Sequence, residues 1–403
     1  MSQATADPRL IAPRAAPKRR MRLSWSDPLF RAIVWQLVIV GIVALIAWYL
    51  ISNTIANLDA RHIATGFGFL RRTAGIPIGE SLISYDPASS TYGRALIIGV
   101  LNTLKVSVVG VVLATILGTL IGIGRLSTNW LVAKLTAFYV ETVRDIPVLL
   151  QLLAWYTLLE ALPAPRQALH FGHFMYLTNR GMKLAALDWQ PAHTAAALMF
   201  LAGVVGTILW GRHADRRQDA TGIRPATWPV AIALLVGLPV VVWAIMGAPF
   251  SIQFPALHGF NFQGGLTVSP EYFALLIGLV VYTASYIAEI VRSGILAVPK
   301  GQWEAAGALG LRNSEVMRQV ILPQSLRVII PPMTSQYLNL TKNSSLAVAI
   351  GFQDIVSIAN TTLNQTGQAI EGIAVIMAVY LTISLSISLF MNWYNAHIAL
   401  VER

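Results

Sequence analysis

The sequence predicts an all-α polytopic membrane protein of about eight transmembrane helices, on three observations. Only 12% of its 403 residues are charged, against about 25% in ordinary globular chains. The hydrophobic share is 55% and the mean hydropathy is +0.62. So apolar a chain cannot present a water-compatible surface, which excludes a soluble enzyme. Third, apolar stretches recur at close to the roughly 20 residues a helix needs to cross hydrocarbon. The net charge of +11 would suit a nucleic-acid binder only if the cations shared one folded face, yet they fall in loops between apolar runs. No cysteine is present, which removes disulfides and thiolate metal sites and leaves the compartment open.

Eight stretches are candidate spans. Residues 33–51, 195–211, 229–250 and 372–395 contain no formal charge. The run 95–124 carries Lys105 near one end, 132–160 carries Glu141, Arg144 and Asp145, and 272–297 ends with Glu289 and Arg292. The eighth, 325–350, is interrupted by Pro331-Pro332 and Lys342. Residues 1–31 form a basic tail with Arg9, Arg14, Lys18, Arg19, Arg20, Arg22 and Arg31, too polar to pack a core. The first apolar run lacks a small-residue cleavage site after it, so it reads as a retained anchor. Trp48, Trp130, Trp155, Trp210, Trp228 and Trp393 fall near span ends, as an interfacial belt requires.

Cytoplasmic loops carry the excess of Lys and Arg. With the N-terminus inside and eight crossings, 18 cations fall on inner segments and 7 on outer ones. Both termini are therefore expected in the cytoplasm, the last as residues 398–403.

One inner loop does not read as a connector. Residues 302–309 are helix formers apart from Gly307, Gly310-Leu-Arg-Asn313 signals a turn, and Ser314 can cap a second short helix ending before Pro323. Ala305, Ala306 and Gly310 keep this helix-turn-helix elbow small, while Leu309 and Leu311 offer apolar contact.

The spacing Glu304-Ala305-Ala306, Gly310, Val320, Leu322-Pro323 resembles the signature of the integral-membrane subunits of binding-protein-dependent ABC importers, with Val320 in place of an Ile-type residue. Ala288 to Gly294, Val298 to Gln302, Leu322-Pro323-Gln324, Lys342 to Leu346 and Glu141 to Gln151 look like the polar amino-acid (histidine/glutamine-type) branch. The resemblance implies a type I importer permease core in two parts, 95–160 and 271–397. An extra first helix with its loop at 32–94, and an inserted helix pair at 161–270, are similar to the larger subunits of general L-amino-acid transporters. It further implies that the loop 299–323, with Glu304, Ala305, Ala306, Gly310, Leu311, Leu322 and Pro323, couples to a separate ATPase dimer that binds ATP and Mg. A second, related permease chain, a periplasmic amino-acid-binding protein and a bacterial inner membrane complete the implied setting. The chain itself contains no Gly-x-x-x-x-Gly-Lys-Ser/Thr phosphate loop, so nucleotide chemistry is expected on a partner.

Ionisable residues within spans are functional candidates. Glu141 with Arg144, and Glu289 with Arg292, are three apart on a helix and can neutralise one another. They serve either as structural pairs at the interface or as the lining of a solute path. Lys342, Asn343 and Ser344 follow a stretch weakened by prolines, where freed backbone groups can build a polar site. Lys342 and Lys105 otherwise read as snorkelling residues. His170, His173 and His193 lack metal-ligand spacing, and Asp354 can open a short helix. A gradient-driven secondary transporter has no use for the elbow and would show inverted repeats. An intramembrane enzyme would need a catalytic motif that is absent from the sequence. Polar or general L-amino acids are the expected cargo, with an opine-like derivative as the alternative.

Overall fold

The computed structural model describes Trp25 and residues 28–60 and 65–398. Most of the basic tail and the stretch 399–403 lie outside the described residues. The chain divides into two units, residues 1–66 and 67–403. The first holds α1 (Pro28–Ala60), apolar along its length, with Leu37, Val40, Leu45, Trp48 and Tyr49 all exposed. A helix apolar all round is suited to hydrocarbon.

The second unit is built around α8 (Pro270–Leu296). Against it pack α2 (Tyr92–Gly124), α3 (Trp130–Asp145), α4 (Val148–Glu160) and α11 (Leu322–Asn343). Val106, Leu152, Leu275, Leu279, Ile287, Ile329 and Leu340 form the core they share. At the contact of α2 with α8, Gly118 and Gly122 of α2 lie against Ala284, Ile287 and Ala288. Among the described residues, six helices are long and apolar enough to cross a membrane: α1, α2, α5 (Pro191–Thr221), Trp228–Ile245, α8 and α13 (Ala369–Ile398). A seventh crossing is available if the bent pair Asn313–Ile350 and Ile355–Thr366 is one span.

The expected span 132–160 is instead two helices, α3 and α4, broken at Ile146-Pro147. Proline disfavours helical backbone in the residue before it, and Ile146 is extended. The buried Gln151 side chain donates to the carbonyls of Val143 (2.8 Å) and Ile146 (2.9 Å), which supplies two of the carbonyls at the break with a partner. The expected span 325–350 falls within Asn313–Ile350, the longer arm of the bent pair, and differs only in where it is interrupted. Pro331 and Pro332 lie within a continuous α11. The break comes later, where a 3₁₀ turn Ser344–Ile350 and Gly351 lead into α12 (Ile355–Thr366) at a bend of 52°.

Asp354 opens α12 as expected, accepting from the Ser357 amide at 2.8 Å. Asp354→Ala is expected to lower stability by about 1 kcal/mol through loss of this cap, with Asp354→Asn restoring most of it; thermal unfolding in detergent checks this.

In the insertion, α5 pairs with the segment α6 (Trp228–Ile232), a π-turn Ala233–Gly237 and α7 (Leu238–Ile245). Pro239 removes an amide from the ladder and crowds the carbonyl four residues back, which accounts for the wider turn ahead of it. The flanking loops form short antiparallel strands that the hydropathy pattern does not signal. β1 (Leu169–Phe171), β2 (Met175–Thr178), β3 (Gly181–Leu184) and β8 (Leu266–Val268) make one sheet in that order. β4 (Ala186–Leu187) pairs with β5 (Ile252–Gln253), and β6 (Ala256–His258) with β7 (Asn261–Gln263). Lys183, buried in β3, donates to Thr267 Oγ1 at 2.6 Å, and burial holds its ammonium pKa below the usual value.

Candidate functional site

The elbow begins with α9 (Lys300–Ala308). Gly310 follows with φ +75°, left-handed backbone that favours glycine, and turns the chain so that the Leu311 amide reaches the Ala306 carbonyl. The next helix opens at α10 (Asn313–Glu315), with Arg312 and not Ser314 as its N-cap residue, the Glu315 carboxylate accepting from the Arg312 amide at 2.8 Å. It does not end before Pro323. It widens into a π-turn, Val316–Ile321, and runs directly into α11. Pro323 has no N–H for the carbonyl four residues back, and the π-turn absorbs that defect.

The elbow carries its own small core of Val298, Ala306, Val316 and Ile321, with Leu311 packed against it. Ala306 and Leu311 therefore face inward. What faces solvent is Glu304, Ala305, Gly310 and Leu309, the last 81% exposed, with Leu322 41% exposed. The joint is stiffened by the Gln324 side chain donating to that of Gln302 at 3.2 Å. A rigid helical wedge with one protruding leucine and a small-residue surface is therefore joined covalently to α8 at one end and to α11 at the other.

The ionisable candidates do not converge. Glu289 accepts from Arg292 at 2.8 Å, as its spacing suggests, and also pairs with Arg125 at the end of α2. This ties α2 to α8 close to the elbow. No ion pair joins Glu141 to Arg144 among the described residues; Arg144 lies over the Tyr286 ring, 4.9 Å from its centroid. Lys342, Asn343 and Ser344 end α11, nearly the whole of a 22-residue helix from the elbow, or about 30 Å. Lys342 is exposed and Ser344 buried. These residues and the Glu289 cluster cannot contact one small solute together. Glu289→Ala is expected to lower stability by about 1 kcal/mol or less, since the cluster is partly solvated. Glu289→Gln recovers part of the loss, and heat-induced aggregation checks both.

Sequence reasoning did not single out Arg125 and misread Lys105. Lys105 does not snorkel. It pairs with Glu80 at 2.8 Å and lies 4.0 Å from the centre of the Tyr272 ring. Glu80 also accepts from the Ser269 amide, at the start of α8, at 2.8 Å. The segment 67–91 is thereby fastened to the ends of α2 and α8 remote from the elbow, where Phe69, Ala74 and Ile76 pack on Leu96, Ile355 and Ile358.

A bundle of spans, a broken membrane helix and an exposed helical wedge between two core helices define the membrane-embedded subunit of a transporter. Residues 226–399 match the family described as the inner membrane component of binding-protein-dependent transport systems. The chain is 51% identical to the general L-amino acid transport system permease protein AapQ of Rhizobium johnstonii, over 95% of this chain and 96% of that one. It is 50% identical to the putative amino-acid ABC transporter permease protein YhdX of Escherichia coli, over 94% and 97%. It is 43% identical to the glutamate/glutamine/aspartate/asparagine transport system permease protein BztB of Rhodobacter capsulatus, over 96% and 98%. The chain belongs to the amino-acid permeases of ABC transporters, multi-pass proteins of the inner membrane that form the non-catalytic component.

Proposed function

We propose that this chain is the membrane subunit of an ATP-driven, binding-protein-dependent importer of polar or general L-amino acids. The observation that carries the reading is the elbow. It is stabilised by its own core, presents Glu304, Ala305, Leu309 and Gly310 outward, and is continuous with both α8 and α11. A push on such a wedge moves two core helices as rigid bodies. The partner that pushes is a dimer of ATPase subunits, which holds ATP and Mg and seats the elbow in a groove.

The elbow then lies on the cytoplasmic side, with both chain termini. Arg212, Arg216, Arg217 and Arg224, all exposed, share that side under the same threading, in keeping with the positive-inside rule. A second, related permease chain completes the path, and a periplasmic binding protein delivers the solute. The cargo follows from the relatives named for general L-amino acids and for glutamate, glutamine, aspartate and asparagine.

Uptake of a panel of labelled L-amino acids by cells producing the whole assembly tests this. Uptake that needs ATP and the binding protein supports the reading, and uptake that follows an ion gradient without either overturns it.

A further inference from the structure

The two loops that flank the inserted helix pair meet in a cleft of about 650 Å³. It belongs to the end of α8 remote from the elbow, since β8 leads straight into that helix. Three contacts join the loops there. Phe174 meets Phe254 edge-on with ring centres 5.5 Å apart, Tyr176 lies 4.5 Å from Phe262, and the Arg166 guanidinium lies over the Phe260 ring, 4.2 Å from its centroid. In each, the first partner comes from the loop before α5 and the second from the loop after α7. Phe262 is buried, whereas Arg166, His170, His173 and Phe174 are exposed and reachable from solvent.

The polar side chains of this cleft are unspent. Among the described residues, no hydrogen bond or ion pair engages the side chains of Arg166, His170, His173 or Tyr176. A guanidinium stacked on a ring uses its face and keeps its edge of N–H donors free. Each imidazole has an N–H in either charge state, and the phenol adds an O–H. No carboxylate lines the cleft. The one carboxylate in residues 161–190 and 246–269 is Asp188, and it already accepts from Ser251 at 3.1 Å and Gln253 at 2.9 Å. Free donors among ring faces, with no acid beside them, are complementary to an anion that has a flat apolar body. The volume lies in the range of about 300–1,000 Å³ that small-molecule sites occupy. We infer that this cleft binds a small aromatic carboxylate. The ring of the ligand lies among Phe174, Phe254 and Tyr176, and its carboxylate takes the fork of Arg166, with His170 and His173 as further donors. A free amino acid is a poor ligand, because its ammonium would be left without a counter-charge. The site does not depend on the importer reading.

The absence of cysteine from the sequence makes a direct test available. Ala256 lines the cleft and is exposed, so Ala256→Cys places the chain's sole thiol beside the site and adds only a sulfur atom. The full chain in lipid nanodiscs is labelled with a maleimide in the presence of sodium phenylacetate, sodium acetate, phenethylammonium chloride or L-phenylalanine. Phenylacetate is expected to slow labelling about tenfold at about ten times its dissociation constant. Each of the other three lacks the ring, lacks the anion or carries an unmatched ammonium, and is expected to need about tenfold more or to give no protection. Arg166→Gln is expected to raise the protecting concentration of phenylacetate about tenfold or more. Arg166→Lys should recover part of it, since a point charge lacks the fork. The labelling rate without solute is expected to be the same in all three proteins, because Arg166 makes no hydrogen bond among the described residues.

Acetate as effective as phenylacetate would mean that charge alone is at work, and phenethylammonium as effective that ring burial alone is. L-Phenylalanine as effective would mean that the cleft takes ordinary amino acids. Any of these, protection by none of the solutes, or phenylacetate protection that survives Arg166→Gln overturns the proposal. The comparison of the four solutes in the Ala256→Cys protein stands whatever the Arg166 substitutions do to the loops.

Discussion

Gly310→Asp is expected to abolish amino-acid uptake and to release the chain from its ATPase partner, while leaving the membrane helices folded. A Cβ built on Gly310 meets nothing within 4 Å, so no clash is created. The left-handed backbone at φ +75° costs a side chain about 1–2 kcal/mol, and aspartate is among the residues that tolerate it. That cost falls on an elbow whose core of Val298, Ala306, Val316 and Ile321 does not involve Gly310. What changes is the outer surface, where a close approach of another backbone now meets a side chain and a charge. Loss of a central interface contact costs about 2 kcal/mol or more, roughly a thirtyfold loss of association. Glu304→Lys, at an exposed position of α9, and Leu309→Arg are expected to act in the same direction. Uptake and co-purification of the ATPase, compared at equal membrane abundance, decide the matter. Unimpaired uptake in both Gly310→Asp and Glu304→Lys would show that the elbow is not the coupling contact and would return a gradient-driven carrier to the lead.

Six of the eight expected spans correspond to helices long and apolar enough to cross, because burial in hydrocarbon is written into composition over about twenty residues. The other two, 132–160 and 325–350, are interrupted at points that hydropathy does not show. A hydropathy average does not register one proline's effect on the residue before it, as at Ile146-Pro147, nor a change from α to 3₁₀ geometry at Ser344. The elbow's first helix and its turn at Gly310 were legible because glycine and helix formers act locally. Its second helix was legible in its existence but not in its extent, since Pro323 reads as a stop and the π-turn that accommodates it has no sequence marker of its own.

The charged residues show the limit of spacing most clearly. Glu289 with Arg292, and Glu141 with Arg144, have the same three-residue separation, yet only the first pair forms. Spacing permits an ion pair; the neighbouring helix decides it. Glu289 lies where the end of α2 brings Arg125 to it, whereas Arg144 turns to the Tyr286 ring of α8. Lys105 and Glu80 are 25 residues apart, and Asn102 and Gln353 are 251 apart. No local pattern announces either, so the contacts they make were invisible in the sequence.

Gly118→Leu is expected to prevent accumulation of folded protein, and Gly118→Ala to destabilise it by about 1–3 kcal/mol. A Cβ on Gly118 would lie 2.6 Å from the Cβ of Ile287 and 2.8 Å from the carbonyl oxygen of Ala284. One turn further along α2, a Cβ on Gly122 would lie 2.7 Å from the carbonyl oxygen of Ala288. Contacts with backbone cannot be relieved by a rotamer change, so α2 and α8 would have to separate. In lipid that separation is costly in a particular way, because apolar surface is no better off between helices than against lipid tails. Close packing of small residues is what holds such helices together. Gly41→Ala in α1 is the control, since a Cβ there meets nothing within 4 Å and alanine is the better helix former; it should be neutral. Thermal unfolding in detergent and abundance in membranes distinguish the three variants. Equal stability of Gly118→Ala and Gly41→Ala would mean that α2 and α8 are not in contact at these glycines. The same contact bears on transport, because α8 leads directly into the elbow. A motion of the elbow reaches α2 only while the two helices move together, so a Gly118→Ala protein that still folds is expected to lose uptake more than ATPase binding.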